Sequence, residues 1–183
     1  VVAFGTYRIY NHKLSDNFVN FWEVPNLLLQ KTPADKFTAT TKLRFTSKAE
    51  GQMGGLVMMG LDYSALVVKR VGQAFQLLQI TCKAADKGKP QREQLIATLK
   101  PTAMYNIDYK PGLHMDIYLR LNVDNSKLNF AYSLDGKKFT DCGEAYQMRQ
   151  GKWIGAKFGF VSVETDAKAD RGWIDVDWIR VTK

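Results

Sequence analysis

Sustained helical periodicity is missing from this sequence, and so is any long hydrophobic run. The longest apolar stretch, residues 54–61, falls well short of the roughly 20 residues that a membrane-spanning helix needs. Cysteine is scarce: Cys82 and Cys142 do not make a disulfide framework. Cys82 continues the alternation of Leu78 and Ile80 and is expected to face the core, whereas Cys142 follows a strand end. Two unpaired thiols are the expected state, with a single bridge as the alternative. The two histidines, His12 and His114, have no His, Cys or Glu partner at metal-ligand spacing. His114 can share a strand face with Asp116, an arrangement read as structural. No G-x-S-x-G elbow, Walker loop or dinucleotide fingerprint occurs. The E-x-D-x-x-E pattern of sandwich glucanases is also absent, which removes the usual strand-borne pair of catalytic carboxyls. No repeat, low-complexity tract or linker divides the chain.

What is present is strand and turn. Met115, Ile117, Leu119, Leu121 and Val123 alternate with Asp116, Tyr118, Arg120, Asn122 and Asp124, the period of a half-buried strand. Asp124-Asn125-Ser126 supplies a turn, the chain returns with Leu128, Phe130 and Tyr132 inward, and Asp135-Gly136 reverses it again. Phe37, Ala39, Thr41, Leu43 and Phe45 define another amphipathic strand, while 54–61 suits a strand buried on both sides. Further strands are expected over 4–10, 26–31, 63–69, 74–82, 92–99, 154–163 and 173–181, with one short helical turn over 144–150. A sheet with one greasy face needs a second layer. The expected fold is therefore all-β: a two-sheet antiparallel jelly-roll sandwich forming one domain over 1–183. An apolar fraction of 45% is ordinary for a folded domain.

The formal charge of +8 raises a polyanion as partner, an acidic polysaccharide included. The densest basic stretch, Lys83 to Arg92, contains Asp86, Gly88 and Pro90 and reads as a hairpin loop. Elsewhere Lys and Arg sit singly on polar strand faces, so neither nucleic acid nor a membrane is an expected partner. Asp175 and Asp177 share one face of Trp173-Ile-Asp-Val-Asp-Trp178. Two aspartates so placed suit a structural calcium ion, or they pair with lysines on a neighbouring strand. No other cofactor is implied. Sugar recognition uses aromatic faces with polar side chains beside them, which makes Tyr118, Arg120, Asn122 and Trp173 candidates for carbohydrate contact. Trp153, at the entry to a strand, joins them, while Trp22 and Trp178 are expected in the core.

Several ordered motifs carry a resemblance. Asn26-Leu-Leu-Leu-Gln-Lys31, Phe37-Thr-Ala-Thr-Thr-Lys42, Gly54-Gly-Leu-Val-Met-Met-Gly-Leu-Asp-Tyr63, the 119–140 meander, Trp153-Ile-Gly-Ala-Lys157 and Asp175-Val-Asp-Trp-Ile-Arg180 recur in this order in one group. Over roughly residues 20–183 the chain resembles the C-terminal β-sandwich of family 43 glycoside hydrolases, the β-xylosidase and α-L-arabinofuranosidase group. The resemblance implies a concanavalin-A-like jelly roll that packs on a catalytic five-bladed propeller and is itself non-catalytic. It implies xylo- or arabino-oligosaccharide as substrate of the whole enzyme, plant-cell-wall xylan degradation as its role, and a periplasmic or extracellular location. In relatives a loop brings an aromatic residue towards the sugar pocket, often within F-T-G-A; Trp153-Ile154-Gly155-Ala156 stands there in this chain, with Trp replacing Phe. The resemblance also favours Asp177 as a calcium ligand. The chain starts at Val1 and is read as a mature or trimmed piece, residues 1–20 forming a strand and loop that follow the catalytic domain. An independent carbohydrate-binding module is the alternative reading.

Overall fold

The computed structural model describes residues 2–3, 5–107, 110–149, 155–165 and 170–183. Its strands, numbered in chain order, form two stacked sheets. Sheet A has eight: β1 (Val2–Ala3), β2 (Thr6–Tyr10), β5 (Lys36–Ser47), β10 (Ala103–Ile107), β11 (Lys110–Asp124), β12 (Lys127–Ser133), β13 (Thr140–Gln147) and β15 (Trp173–Thr182). Sheet B has seven: β3 (His12–Lys13), β4 (Leu28–Lys31), β6 (Met53–Met59), β7 (Tyr63–Val71), β8 (Ala74–Cys82), β9 (Arg92–Leu99) and β14 (Lys157–Glu164). Sheet A runs β1-β2-β15-β5-β11-β12-β13, with β10 beside β11. Sheet B runs β3-β14-β6-β7-β8-β9, with β4 beside β14. Among the described pairings only β3 with β14 is parallel. The expected all-β sandwich is the observed fold, and both meanders, β11–β13 and β6–β9, join consecutive strands.

Alternation explains the layering. Phe37, Leu43 and Phe45 on β5 and Met115, Ile117, Leu119 and Leu121 on β11 point between the sheets. They meet Leu56, Leu66, Phe75, Leu77 and Phe158 from sheet B. Each such side chain contributes about 1.5–3 kcal/mol relative to exposure. Sheet B is also apolar on its far side, where Val57, Met59, Tyr63, Ala65, Val67, Leu78, Ile80 and Val163 form a second cluster. Leu14, Phe18, Phe21, Val24, Leu27 and Leu29 cover it, so every residue of β6 is buried. That is why its sequence reads as an unbroken apolar run. Phe21 stacks on Tyr63 at 5.3 Å, and the Phe21 N–H donates to the Tyr63 hydroxyl at 2.9 Å.

Two expectations need correction. Residues 144–150 do not begin with a helical turn: Thr140–Gln147 is the edge strand β13, paired with β12 through Leu128↔Tyr146. Only Cys142 and Tyr146 turn inward from it, and a register shift interrupts the pairing, so no alternation is visible in its sequence. Trp22 is not in the core. It lies in the 3-10 turn Phe21–Glu23, whose tight geometry buries Phe21 and leaves Trp22 39% exposed.

One buried polar side chain ties the sheets at this edge. Gln79 on β8 accepts the Glu144 N–H at 2.7 Å and donates to the Glu144 carbonyl at 2.8 Å, completing a ladder-like pair with β13. A Cβ at Gly143, where φ is +73°, would stand 2.3 Å from the Gln79 Oε1. Gln79→Leu should lower unfolding free energy by about 2 kcal/mol, because it strands both backbone groups of Glu144. Urea unfolding reads the change; an unaltered midpoint would show that the clamp contributes nothing.

Candidate functional site

The outer face of sheet A gathers most of the candidate residues in rows. Across β11, β5, β15 and β2 one row reads Asp116, Arg44, Asp175, Arg8. Arg44 grips both Asp116 oxygens at 2.6 and 2.9 Å, and Arg8 grips both Asp175 oxygens at 2.7 and 2.9 Å. Hydrogen bonding to Asp175 holds Arg8 still further above its ordinary pKa. The neighbouring row holds His114, Thr46, Trp173 and Tyr10. The His114 Nδ1 lies 3.0 Å from the Thr46 hydroxyl, and burial, then Arg44, push the pKa of this ring down.

A bulge governs the third row. Register passes from Val176↔Leu43 to Trp178↔Lys42, so Asp177 is an extra residue. Alternation flips there, and Asp175, Asp177 and Trp178 all project outward. Trp178 is therefore not a core residue, contrary to its expected inward phase. It sits half-buried beside Tyr118, ring centroids 6.1 Å apart, with the Arg180 guanidinium 4.5 Å above it. Lys42, between them in register, donates to Asp177 at 2.7 Å, which raises the ammonium pKa.

The carbohydrate-contact candidates are engaged by the protein itself. Trp173 is 9% exposed, with Arg8 at 4.4 Å over its ring, Tyr10 edge-on at 6.0 Å and its Nε1–H donated to Asp175. Arg120 lies 3.5 Å over Phe139 and donates to the Thr40 hydroxyl, and Asn122 accepts from the Thr38 hydroxyl. Tyr118 is covered by the loop after β12: a Cβ at Gly136 would approach its Cζ to 2.6 Å. Asp135 fixes that loop by accepting from the Lys137 and Lys138 N–H groups and the Ser133 hydroxyl, which draws its pKa down to about 2. Trp153 lies outside the described residues.

A recess of about 340 Å³ on this face holds Arg8, Lys42 and Arg44 against Asp116, Asp175 and Asp177. Glycoside hydrolysis needs two carboxyl groups facing across an open gap of roughly 5–9.5 Å. Here a cation takes each carboxylate. The same pairing answers the calcium test: Asp175 is chelated by Arg8, Asp177 is held by Lys42, and no three His, Cys, Asp or Glu side chains converge among the described residues. The donor set does not fit calcium. Cys82 and Cys142 are both free, and burial pushes the Cys142 thiol up to about 12, far from a nucleophile's range.

One clasp was not visible in the sequence. Asp62, 4% exposed in the turn between β6 and β7, accepts from Arg149 at 2.5 and 2.8 Å and from the Ala84 N–H at 2.7 Å. Arg149 immediately precedes residues 150–154, and with Met148, Gly155 and Ala156 it lines a recess of about 170 Å³. The Gly-Leu-Asp-Tyr turn at 60–63 was the available signal, but nothing in it names a partner 87 residues away.

Arg149 first, then the Ala84 N–H, hold the Asp62 carboxyl below its ordinary pKa against the opposing effect of burial. A carboxyl lowered by folding stabilises the fold above its unfolded pKa, about 3.9, and that contribution is lost as pH falls through the folded value. Asp62→Asn should cost about 2 kcal/mol at pH 7, and its deficit against wild type should shrink below about pH 4. Urea titrations at several pH values test this; a pH-independent deficit would refute the ionic origin. Calcium chloride and EDTA should leave the melting midpoint within about 1 °C of each other, because Asp175 and Asp177 are taken by cations and no three candidate ligands converge among the described residues; a calcium-dependent rise would overturn the pairing argument.

Comparison with known proteins places these features in a family. Residues 5–182 match the family described as the β-xylosidase C-terminal concanavalin A-like domain. A β-xylosidase from Formosa agariphila is 27% identical over 160 residues, covering 87% of this chain but 24% of that protein. A bifunctional GH43-CE protein from Bacteroides eggerthii shares the fold with a TM-score of 0.74 at 19% identity, over 98% of this chain and 21% of that one. A functionally unknown protein from Saccharomyces cerevisiae, 12% identical, matches with a TM-score of 0.64 over 100% of this chain and 90% of its own. The chain thus spans about a quarter of the curated relative it matches. By its sequence match and by its two-sheet architecture, this chain belongs to the β-xylosidase C-terminal concanavalin A-like domain family.

Proposed function

We propose that this chain is the accessory β-sandwich of a larger family 43 glycoside hydrolase acting on xylan or arabinoxylan. It packs on a separate catalytic propeller, stabilises it by burying surface between the two, and completes its sugar pocket. The observation that carries this reading is the match of residues 5–182 to a C-terminal domain family, combined with coverage of only 24% of a β-xylosidase. The chain's own chemistry agrees. The carboxylates in the sheet A recess are committed to cations, and its two thiols are free and unactivated. Trp153 is the proposed substrate-proximal residue, and the Asp62–Arg149 clasp anchors the chain immediately before the segment that carries it. The enzyme meets its substrate in the periplasm or outside the cell.

The sheet A face is a poor independent sugar platform, because Arg8, Trp178 and the Gly136 loop already occupy the Trp173 and Tyr118 rings. The isolated chain should not hydrolyse aryl-xylosides or aryl-arabinosides, whereas the parent enzyme should, and Trp153→Ala in the parent should weaken kcat/KM by about tenfold, or about 1.4 kcal/mol. Turnover by the isolated chain at enzyme-like rates would sink the accessory reading.

A further inference from the structure

The basic loop between β8 and β9 is unused by the reading above, and the fold gives it a cavity. It walls a recess of about 730 Å³ at the open edge of the sandwich, between sheet B and β13 of sheet A. That volume falls within the roughly 300–1,000 Å³ of small-ligand pockets. Lys83, Lys89 and Arg92 line it against the single carboxylate of Glu144. The contrast with the sheet A recess is direct: there three cations meet three carboxylates and all are paired. Here none of the three cations makes an ion pair with a described carboxylate. Lys83 stands 4.9 Å over the Tyr146 ring, and the Asp62 charge it feels is already committed to Arg149 and the Ala84 N–H.

The loop is held before any ligand arrives. Asn20 donates to the carbonyls of Ala85 at 3.1 Å and Lys89 at 2.8 Å, and the Ala85 N–H reaches the Leu61 carbonyl at 2.9 Å. The Tyr63 hydroxyl donates to Gln91 at 2.5 Å. A backbone already fixed removes the cost of ordering the loop on binding, leaving only that of the Lys and Arg side chains themselves. The occupant's character follows from the lining. Among the described residues, none of the large exposed hydrophobic side chains borders the recess, which disfavours a protein interface with its aromatic anchors. Three cations in one concavity, with the Thr81 hydroxyl beside them, suit a compact anion that carries hydroxyl groups better than a phosphate backbone needing a charged track.

We propose that this recess binds a carboxylate-bearing sugar, a uronosyl branch on an oligosaccharide, through Lys83, Lys89 and Arg92. The inference deepens the accessory reading and rests on it for the saccharide partner. Calorimetry on the 183-residue chain tests it with two probes, xylotetraose carrying one glucuronosyl branch and unsubstituted xylotetraose. The acidic probe should bind at least about tenfold tighter, and its affinity should fall several-fold between about 20 mM and about 500 mM NaCl. Lys83→Gln, Lys89→Gln and Arg92→Gln combined should remove about nine-tenths of that affinity without moving the melting midpoint, since all three side chains are exposed. Equal binding of the two probes, no binding, or an unaltered triple variant would overturn the proposal. Displacement of the acidic probe by inorganic polyphosphate at lower concentration would also overturn it, assigning the recess to phosphate. Absent binding in a chain that still stabilises its catalytic domain would defeat this inference alone, whereas turnover by the isolated chain would defeat the accessory reading.

Discussion

Sheet B is apolar on both faces, and covering both is the constraint from which the rest of the molecule follows. One face is closed by sheet A, whose strands need only a single greasy side. The other is closed by residues 14–29, a segment with only a 3-10 turn and the short β4, so its shape is dictated by what it covers. Phe21 on Tyr63 is the centre of that cover. Asn20 caps the 3-10 turn through the Trp22 N–H and, from the same side chain, holds the carbonyls of Ala85 and Lys89. Burying one face of a sheet thereby fixes a loop that carries exposed charge.

The two concave surfaces differ in how their charges are spent. On sheet A, strand register puts acid beside base in every position of one row, and bidentate geometry satisfies both partners. Pairs this exposed add little to stability individually, but they leave neither carboxylate of that row without a cation. At the sandwich edge the basic loop faces Glu144 of β13, and none of Lys83, Lys89 and Arg92 forms an ion pair with a described carboxylate. That local excess of positive charge is where the net charge of the chain is concentrated around a concavity.

Much of the fold was legible because β-alternation is a local property. Phe37–Phe45 and Leu113–Asp124 alternate cleanly, and burial follows position by position. The unbroken run at Met53–Met59 announced burial on both sides. Legibility failed where a neighbour overrode the local period. β13 is a strand only because β12 and Gln79 supply partners for its backbone. Trp178 faces outward because one added residue at Asp177 reverses the phase, and nothing in Trp-Ile-Asp-Val-Asp-Trp marks a bulge. Tyr118 and Trp173, two of the rings predicted for sugar contact, lie on the outer face of sheet A, yet Gly136 and Arg8, distant in sequence, fold over them.

Amino-acid order alone determined the all-β class, the inward and outward sets of the long strands, the absence of a strand-borne acid pair of the glucanase pattern and, through ordered motifs, the family. Those are matters of periodicity and residue type, readable within a few positions. Which charges are neutralised and which are left open was decided only by the tertiary structure. Asp175 finds Arg8 across 167 residues and Asp62 finds Arg149 across 87, whereas Lys83, Lys89 and Arg92 form no ion pair with a described carboxylate. Coulomb interactions depend on distance in space, and only the register and stacking of the two sheets set those distances.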